Sequence, residues 1–256
     1  MNIFKSIKGI YQGKKNLSNH ITLFSIFGIM TIVLNNYISS NLSSMYAAYF
    51  GFAPSTNLEI YIDVIIGVML LIFSVGYFYE FVNNTYSEAD KLPEISLKPY
   101  AYFLRMLPII LMWINYMAFF ALLGFNMFRI DSPMFAVYYA LLFCLIPFID
   151  IILMLYAKDF KFTFDAINPL KLVKVIDKTF GLVILLLVKL LIVSVIPVCL
   201  VYLLFRYSVY VKNSFVQLGL RLGGVCISAY FVNILRYIYS IGCVEIIKNK
   251  LLDVNE

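Results

Sequence analysis

Long apolar segments alternate with short polar ones along most of this chain. A run of about 20 predominantly apolar residues is long enough to cross a bilayer as a helix. The chain contains six such segments, at about residues 18–38, 60–82, 102–125, 133–156, 180–205 and 215–243. Backbone polar groups must be paired in lipid, and the alternation typical of barrel strands is absent from the sequence. The pattern therefore predicts an all-α polytopic membrane protein, with six transmembrane helices in a single domain.

The composition supports this prediction. Of the 256 residues, 62% are hydrophobic and 13% are charged, whereas a soluble domain is about half apolar and about a quarter charged. The core of one domain of this size is too small to bury so much apolar surface. The net charge of +6 comes mainly from lysines beside the apolar segments. We therefore expect anionic lipid at the inner face, and not nucleic acid, as the partner of these lysines.

Lysine and arginine are distributed unevenly between the connecting segments. The segment before the first span contains four lysines and no acidic residue, and the loop at 39–59 contains neither lysine nor arginine. Later, the segment 157–179 contains five lysines, whereas 206–214 contains only Arg206 and Lys212. Basic segments are retained in the cytoplasm during insertion. The alternation therefore predicts that both termini are cytoplasmic.

Each pair of spans follows a short segment in which apolar residues recur at helical spacing. These segments read MNIFKSIKGIYQGKK, SLKPYAYFLRMLP and FDAINPLKLVKVIDKTFG. Pro99 is suited to open a helix in the second, and Leu170 and Val173 lie among Lys174 and Lys178 in the third. Basic amphipathic helices of this kind lie in the membrane interface. The chain thus predicts three repeated units of an interfacial helix and a hairpin, with the interfacial helices either orienting the spans or docking a partner.

Four ionisable side chains form a candidate intramembrane polar cluster: Glu80, Asp150, Lys189 and Arg236. All four are predicted in the cytoplasmic half of the bilayer, where charges are costly and often functional. By helical rise, Lys189 lies roughly 13 Å into the fifth span and Asp150 roughly 9 Å from the inner end of the fourth. Similar depth predicts an ion pair between Asp150 and Lys189. Such a pair either joins two helices structurally or lines a polar cavity used in transport.

Prolines within the spans are weaker evidence about function. Pro108, Pro147 and Pro197 lie within the third, fourth and fifth spans, where each removes a backbone donor and can kink its helix. Broken helices occur in transporters, but prolines are also frequent in ordinary membrane helices.

The patterns that would indicate an enzyme are missing from the sequence. His20 is the single histidine, and neither a phosphate-binding GxxxxGK[ST] loop nor a GxSxG nucleophile motif is present. The four cysteines lie in apolar segments without CxxC spacing. We therefore expect no catalytic residue, no cofactor and no metal site.

Two stretches resemble a known family. Residues 76–95 read GYFYEFVNNTYSEADKLPEI and residues 160–181 read FKFTFDAINPLKLVKVIDKTFG. They resemble a family of prokaryotic multi-pass membrane proteins catalogued as domain of unknown function number forty-thirteen, over roughly residues 60–245. Glu80 departs from the family pattern, in which a basic residue is expected. The resemblance implies a prokaryotic cytoplasmic membrane and brings no activity, cofactor or catalytic residue.

Two classes of function are consistent with the sequence. The first is a non-enzymatic membrane module that organises partners or lipids through its basic cytoplasmic face. The second is the membrane-spanning permease component of a transporter powered by a separate ATPase, which six spans and a length of about 250 residues resemble in architecture alone. A homo-oligomer is compatible with either class.

Overall fold

The structure is a computed structural model that describes residues 57–87, 92–93, 96–160 and 164–252. All regular secondary structure in these ranges is helical. In chain order the helices are α1 (Asn57–Tyr86), α2 (Lys98–Met127), α3 (Pro133–Cys144), α4 (Ile146–Ala157), α5 (Phe164–Ile167), α6 (Pro169–Tyr210) and α7 (Ser214–Ile247), followed by a π-helical turn (Lys248–Leu252). The all-α prediction is confirmed for the described part of the chain.

Four helical segments in the described ranges are long and apolar enough to cross a membrane. They are Lys98–Met127, Pro133–Ala157, Pro169–Tyr210 and Tyr230–Leu252. They overlap the third to sixth predicted spans, and α1 covers the second. The first predicted span, 18–38, and the amphipathic segment before it lie outside the described residues. The chain is therefore compatible with an integral membrane protein.

Helix starts follow the local sequence. Ser132 and Asn168 each precede a proline at the first helical position, which fixes φ and needs no hydrogen-bond partner for its nitrogen. The Ser132 hydroxyl accepts a hydrogen bond from the Met134 N–H at 3.2 Å, and Asn168 Oδ1 accepts one from the Leu170 N–H at 2.9 Å. Both side chains thereby cap otherwise unpaired donors at the starts of α3 and α6.

Proline also interrupts the predicted fourth span. The regular helix stops at Leu145, between α3 and α4, just before Pro147. Proline lacks the donor that would continue the ladder, and its ring clashes with the preceding turn. By contrast, Pro108 and Pro197 lie inside α2 and α6, which run on without a break.

Two predicted interfacial helices are the first turns of long helices rather than separate elements. Pro99 lies in the first turn of α2, which continues through the third predicted span. The basic segment near 165–178 likewise continues into the fifth span as α6, with the four-residue α5 just before it. A continuous helix leaves no unpaired backbone groups at the membrane boundary, where a separate elbow would create four at each end.

A buried core joins α1, α4 and α7 to the first halves of α2 and α6. Its fully buried side chains include Tyr77, Phe81, Ile152 and Tyr237. On α6, the buried residues Val175, Thr179, Val183 and Leu186 recur at three- and four-residue steps and therefore form one face of the helix. The α6–α7 hairpin beyond Lys189 and the α2–α3 hairpin extend from this core with mostly exposed apolar side chains.

Candidate functional site

Arg236 lies in an aromatic part of the core. Its guanidinium carbon is 3.9 Å from the centroid of the Phe78 ring, a cation–π contact that stabilises a cation among apolar groups. The neighbouring Tyr237 ring packs against Phe78, Phe81 and Tyr77, with centroid separations of 6.3, 4.9 and 6.4 Å. The second half of α1 and the second half of α7 therefore position Arg236 through aromatic side chains.

Asp150 interacts electrostatically with Arg236 rather than with Lys189, although the two side chains form no ion pair within 4.0 Å. Asp150 is half-buried on α4, and Arg236 is the cation whose charge acts on it. The same two charges act on the buried side chain of Tyr79. Asp150 and Lys189 form no ion pair within 4.0 Å, so the predicted pairing is wrong. The two residues share a predicted depth, but their helices present them to different neighbours.

Glu80 belongs to a second group at the start of α2. It lies on the same face of α1 as Gly76, whose backbone abuts Pro99. Lys98 and Tyr102 are the α2 residues coupled electrostatically to Glu80. The Glu80 side chain is 6% exposed, and no described group donates a hydrogen bond to its Oε2 atom.

Lys189 lies in a cleft between α6 and α7 that is not lined by any of the other three charges. The cleft also contains Glu245 and Asn249, which flank Ile247, the last residue of α7. Its walls are otherwise apolar, and its volume is about 110 Å³. Lys189 therefore faces the end of α7.

The predicted four-residue cluster is thus three separate arrangements. Asp150 interacts electrostatically with Arg236, Glu80 interacts with Lys98 of α2, and Lys189 shares a cleft with Glu245. Within the described ranges, no three His, Cys, Asp or Glu side chains are grouped so that they could hold a metal ion. The expectation that the chain has no catalytic or cofactor-binding residue stays a prediction.

The sequence did not reveal the hydrogen bonds that join the helix ends in the core. Asn83 Nδ2 donates to the carbonyl oxygens of Ala157 and Lys158, both at 2.9 Å, and the Tyr86 hydroxyl donates to the Met154 carbonyl at 3.1 Å. These carbonyls lie in or just after the last turn of α4, where they lack partners within the helix. The polar residues that follow Val82 indicated that this end of α1 makes polar contacts. The sequence did not indicate that the partners would be carbonyl groups of α4.

Lys248 makes the corresponding contact at the end of α1. Its ammonium nitrogen donates to the carbonyl oxygen of Thr85 at 3.3 Å. A cation near the carboxyl end of a helix pairs an otherwise unpaired carbonyl and interacts favourably with the helix dipole. Together with Asn83 and Tyr86, this lysine fastens the ends of α1, α4 and α7 to one another.

Comparisons with known proteins give no family assignment: no family model, curated protein or solved structure matches the chain.

Proposed function

We propose that this protein is a non-enzymatic membrane module that organises lipids, and partners recruited with them, at the cytoplasmic face. The observation that carries the proposal is the exposed start of α6. Leu170 and Val173 are 69% and 63% exposed there, next to the exposed lysines Lys174 and Lys178. The buried face of the same segment is formed by Val175 and Thr179 instead. An apolar stripe that faces outward between lysines is what an interfacial helix requires.

The length of α6 supports this assignment. Its 42 residues extend for about 63 Å by helical rise, which is about twice the hydrocarbon thickness of a bilayer. Part of α6 must therefore lie outside the hydrocarbon region or be strongly tilted. Lys171, Lys174 and Lys178 are confined to its first turns, where cations attract anionic lipid with about 1 kcal/mol each. The amino-terminal part of α6 is thus the segment suited to the headgroup layer.

The wider architecture belongs to the same proposal. It comprises six spans, three repeated hairpin units, cytoplasmic termini and a prokaryotic cytoplasmic membrane, as expected from the spacing of apolar segments, the lysine distribution and the resemblance at residues 76–95. Four membrane-compatible helices support the membrane location.

The test compares two pairs of cations at opposite ends of α6. The wild type, Lys174→Gln/Lys178→Gln and the control Arg206→Gln/Lys212→Gln are reconstituted in nanodiscs of phosphatidylcholine, with or without phosphatidylglycerol. We expect phosphatidylglycerol to raise the melting temperature of the wild type and the control, and to raise that of Lys174→Gln/Lys178→Gln much less. An equal rise in all three proteins would contradict the proposal.

A permease subunit powered by a separate ATPase is the second candidate. The observation in its favour is that Asp150 and Arg236 are half-buried charges among apolar helices, a feature common on transport pathways. Co-purification of an ATPase in mild detergent, and loss of solute export in a deletion strain, are the expected results. Unchanged export together with no associated ATPase activity would exclude this candidate.

A further inference from the structure

The cleft that contains Lys189 combines charged groups with apolar walls. Leu182, Leu185 and Leu186 line it from α6, and Gly242 and Ile246 line it from α7. Leu182 and Leu185 are exposed at its side, so the cleft opens onto the outer surface of the α6–α7 hairpin. On a helix pair that faces lipid, such an opening is accessible from the bilayer.

Lys189 forms no close ion pair in this cleft, although Glu245 also lines it. Its side chain is half-buried, and it forms no ion pair within 4.0 Å with a described carboxylate. A cation in a cleft with mostly apolar walls is costly unless acceptors contact it. The phosphate of a phospholipid is the acceptor that a membrane provides in abundance, and a lysine ammonium binds phosphate as a point charge.

Glu245 and Asn249 determine which phospholipid fits. A carboxylate in the same cleft disfavours a purely anionic headgroup and attracts a cation. An ionised carboxylate accepts hydrogen bonds at about four sites, so Glu245 can receive a ligand donor beside any other partner. The Asn249 amide supplies both a donor and an acceptor. One cation, one carboxylate and one amide therefore complement a zwitterionic headgroup.

We propose that the cleft binds the phosphoethanolamine headgroup of a phospholipid. The phosphate lies against Lys189, and the ammonium donates to Glu245 and Asn249. The cleft volume of about 110 Å³ is about the volume that three to four water molecules occupy in the liquid. The cleft therefore encloses only part of a headgroup, and the acyl chains lie outside it, along Leu182 and Leu185. Choline cannot replace ethanolamine equally well, because its quaternary nitrogen has no N–H to donate.

This inference rests on the proposed lipid-organising function and specifies one lipid for it. The cleft site differs from the surface of the proposed function in its residues and in its lipid. Lys174 and Lys178 respond to anionic lipid, whereas the cleft selects the zwitterionic phosphoethanolamine headgroup. The proposed function and the cleft site can therefore be disproved independently. Loss of the phosphatidylglycerol effect removes the proposed function, and loss of ethanolamine selectivity removes only this site.

The experiment measures bound lipid by native mass spectrometry on the full-length protein. Equal amounts of phosphatidylethanolamine and phosphatidylcholine with identical acyl chains are offered to the wild type, Lys189→Met, Glu245→Gln and the control Lys212→Met. We expect the wild type and Lys212→Met to prefer phosphatidylethanolamine about tenfold, the value of one charge-assisted hydrogen bond.

The two cleft variants are expected to fail differently. Lys189→Met loses binding of both lipids at this site, whereas Glu245→Gln retains phosphate binding and loses the preference between them. Melting temperatures within a few degrees of the wild type exclude unfolding as the cause, and Glu245→Gln, at an exposed residue, supplies the decisive result if Lys189→Met does not fold. Equal binding of both lipids by the wild type, or unchanged selectivity in Glu245→Gln, would overturn the proposal.

Discussion

The core and the α6–α7 hairpin beyond Lys189 differ in how far their polar side chains reach. In the core, Trp113 Nε1 donates to the Ala166 carbonyl at 3.0 Å, and the Tyr239 hydroxyl donates to the Pro147 carbonyl at 3.2 Å, so hydrogen bonds connect different elements. In the hairpin, the Ser194 and Ser228 hydroxyls donate to carbonyls of their own helices, at 2.7 Å each. Short hydroxyls bond within their own helix in both regions, as Thr179 does in the core, whereas the longer indole and phenol groups of the core join different elements.

The exposure of apolar side chains also differs between the two regions. Tyr237 is 2% exposed in the core, whereas Ile196 is 77% exposed in the hairpin. Lipid is as apolar as leucine, so helix association in a membrane depends on close packing and hydrogen bonds rather than on removal of apolar surface from water. The core is therefore where substitutions should destabilise the fold, and the hairpin is where lipid contacts should change instead.

Tyr237→Ala should have the largest effect. The ring packs against three aromatic rings of α1, so its removal leaves a cavity that we expect to cost about 3–5 kcal/mol of the free energy of unfolding. Tyr207→Ala is the matched control in the hairpin, where the side chain is 65% exposed, and should change stability by no more than about 0.5 kcal/mol. Unfolding in detergent micelles measures both, and similar losses would break the distinction between the regions.

Gly76→Ala should have the next largest effect. A Cβ at Gly76 would overlap the backbone carbonyl of Pro99, which cannot move aside without shifting α2, so we expect a loss of about 1–3 kcal/mol. Gly181→Ala is the control, because a Cβ there meets no atom within 4 Å. Since alanine is the better helix former, Gly181→Ala should raise the melting temperature. A stable Gly76→Ala protein would show that α1 and α2 are not in such close contact.

Asn83→Ala should have a smaller effect than these. It removes the donor to two carbonyls at the end of α4, and we expect a cost of about 1–2 kcal/mol. Asn126→Ala is the control. The Asn126 amide is exposed and donates only to the Leu122 carbonyl of its own helix. We expect no measurable change there. Equal melting temperatures of the two variants would show that the hydrogen bonds at the end of α4 contribute nothing.

Patterns along the chain predicted the helices better than their contacts. Pro99 begins a helix as predicted, because proline acts through its own backbone. Of the three prolines expected to kink spans, Pro147 follows an interruption, whereas α2 and α6 continue past Pro108 and Pro197. The pairing of Asp150 with Lys189 was wrong because depth along a helix does not specify which neighbour its face meets. That rotation depends on packing between helices, which residue spacing within one helix does not encode.

The close contacts of the core could not be predicted from the sequence either. Gly76 is an ordinary glycine in an apolar segment, and nothing nearby in the sequence indicates that it abuts Pro99. The exposed stripe of Leu170 and Val173 was predictable from helical spacing, since the two residues lie on one face of a single helix. Local features were thus accessible from the sequence, and features that require two elements were not.

Two native cysteines provide the most direct test of the division between core and hairpin. Cys243 is buried in the core and Cys199 is exposed on α6. In two single-cysteine variants, with the other cysteines replaced by serine, the rate of alkylation by N-ethylmaleimide is measured in the folded and denatured protein. We expect the ratio of the folded to the denatured rate to be higher for Cys199 than for Cys243, because the reagent reaches an exposed thiol through the micelle whereas a thiol buried in protein is inert. Equal ratios for the two thiols would contradict the division.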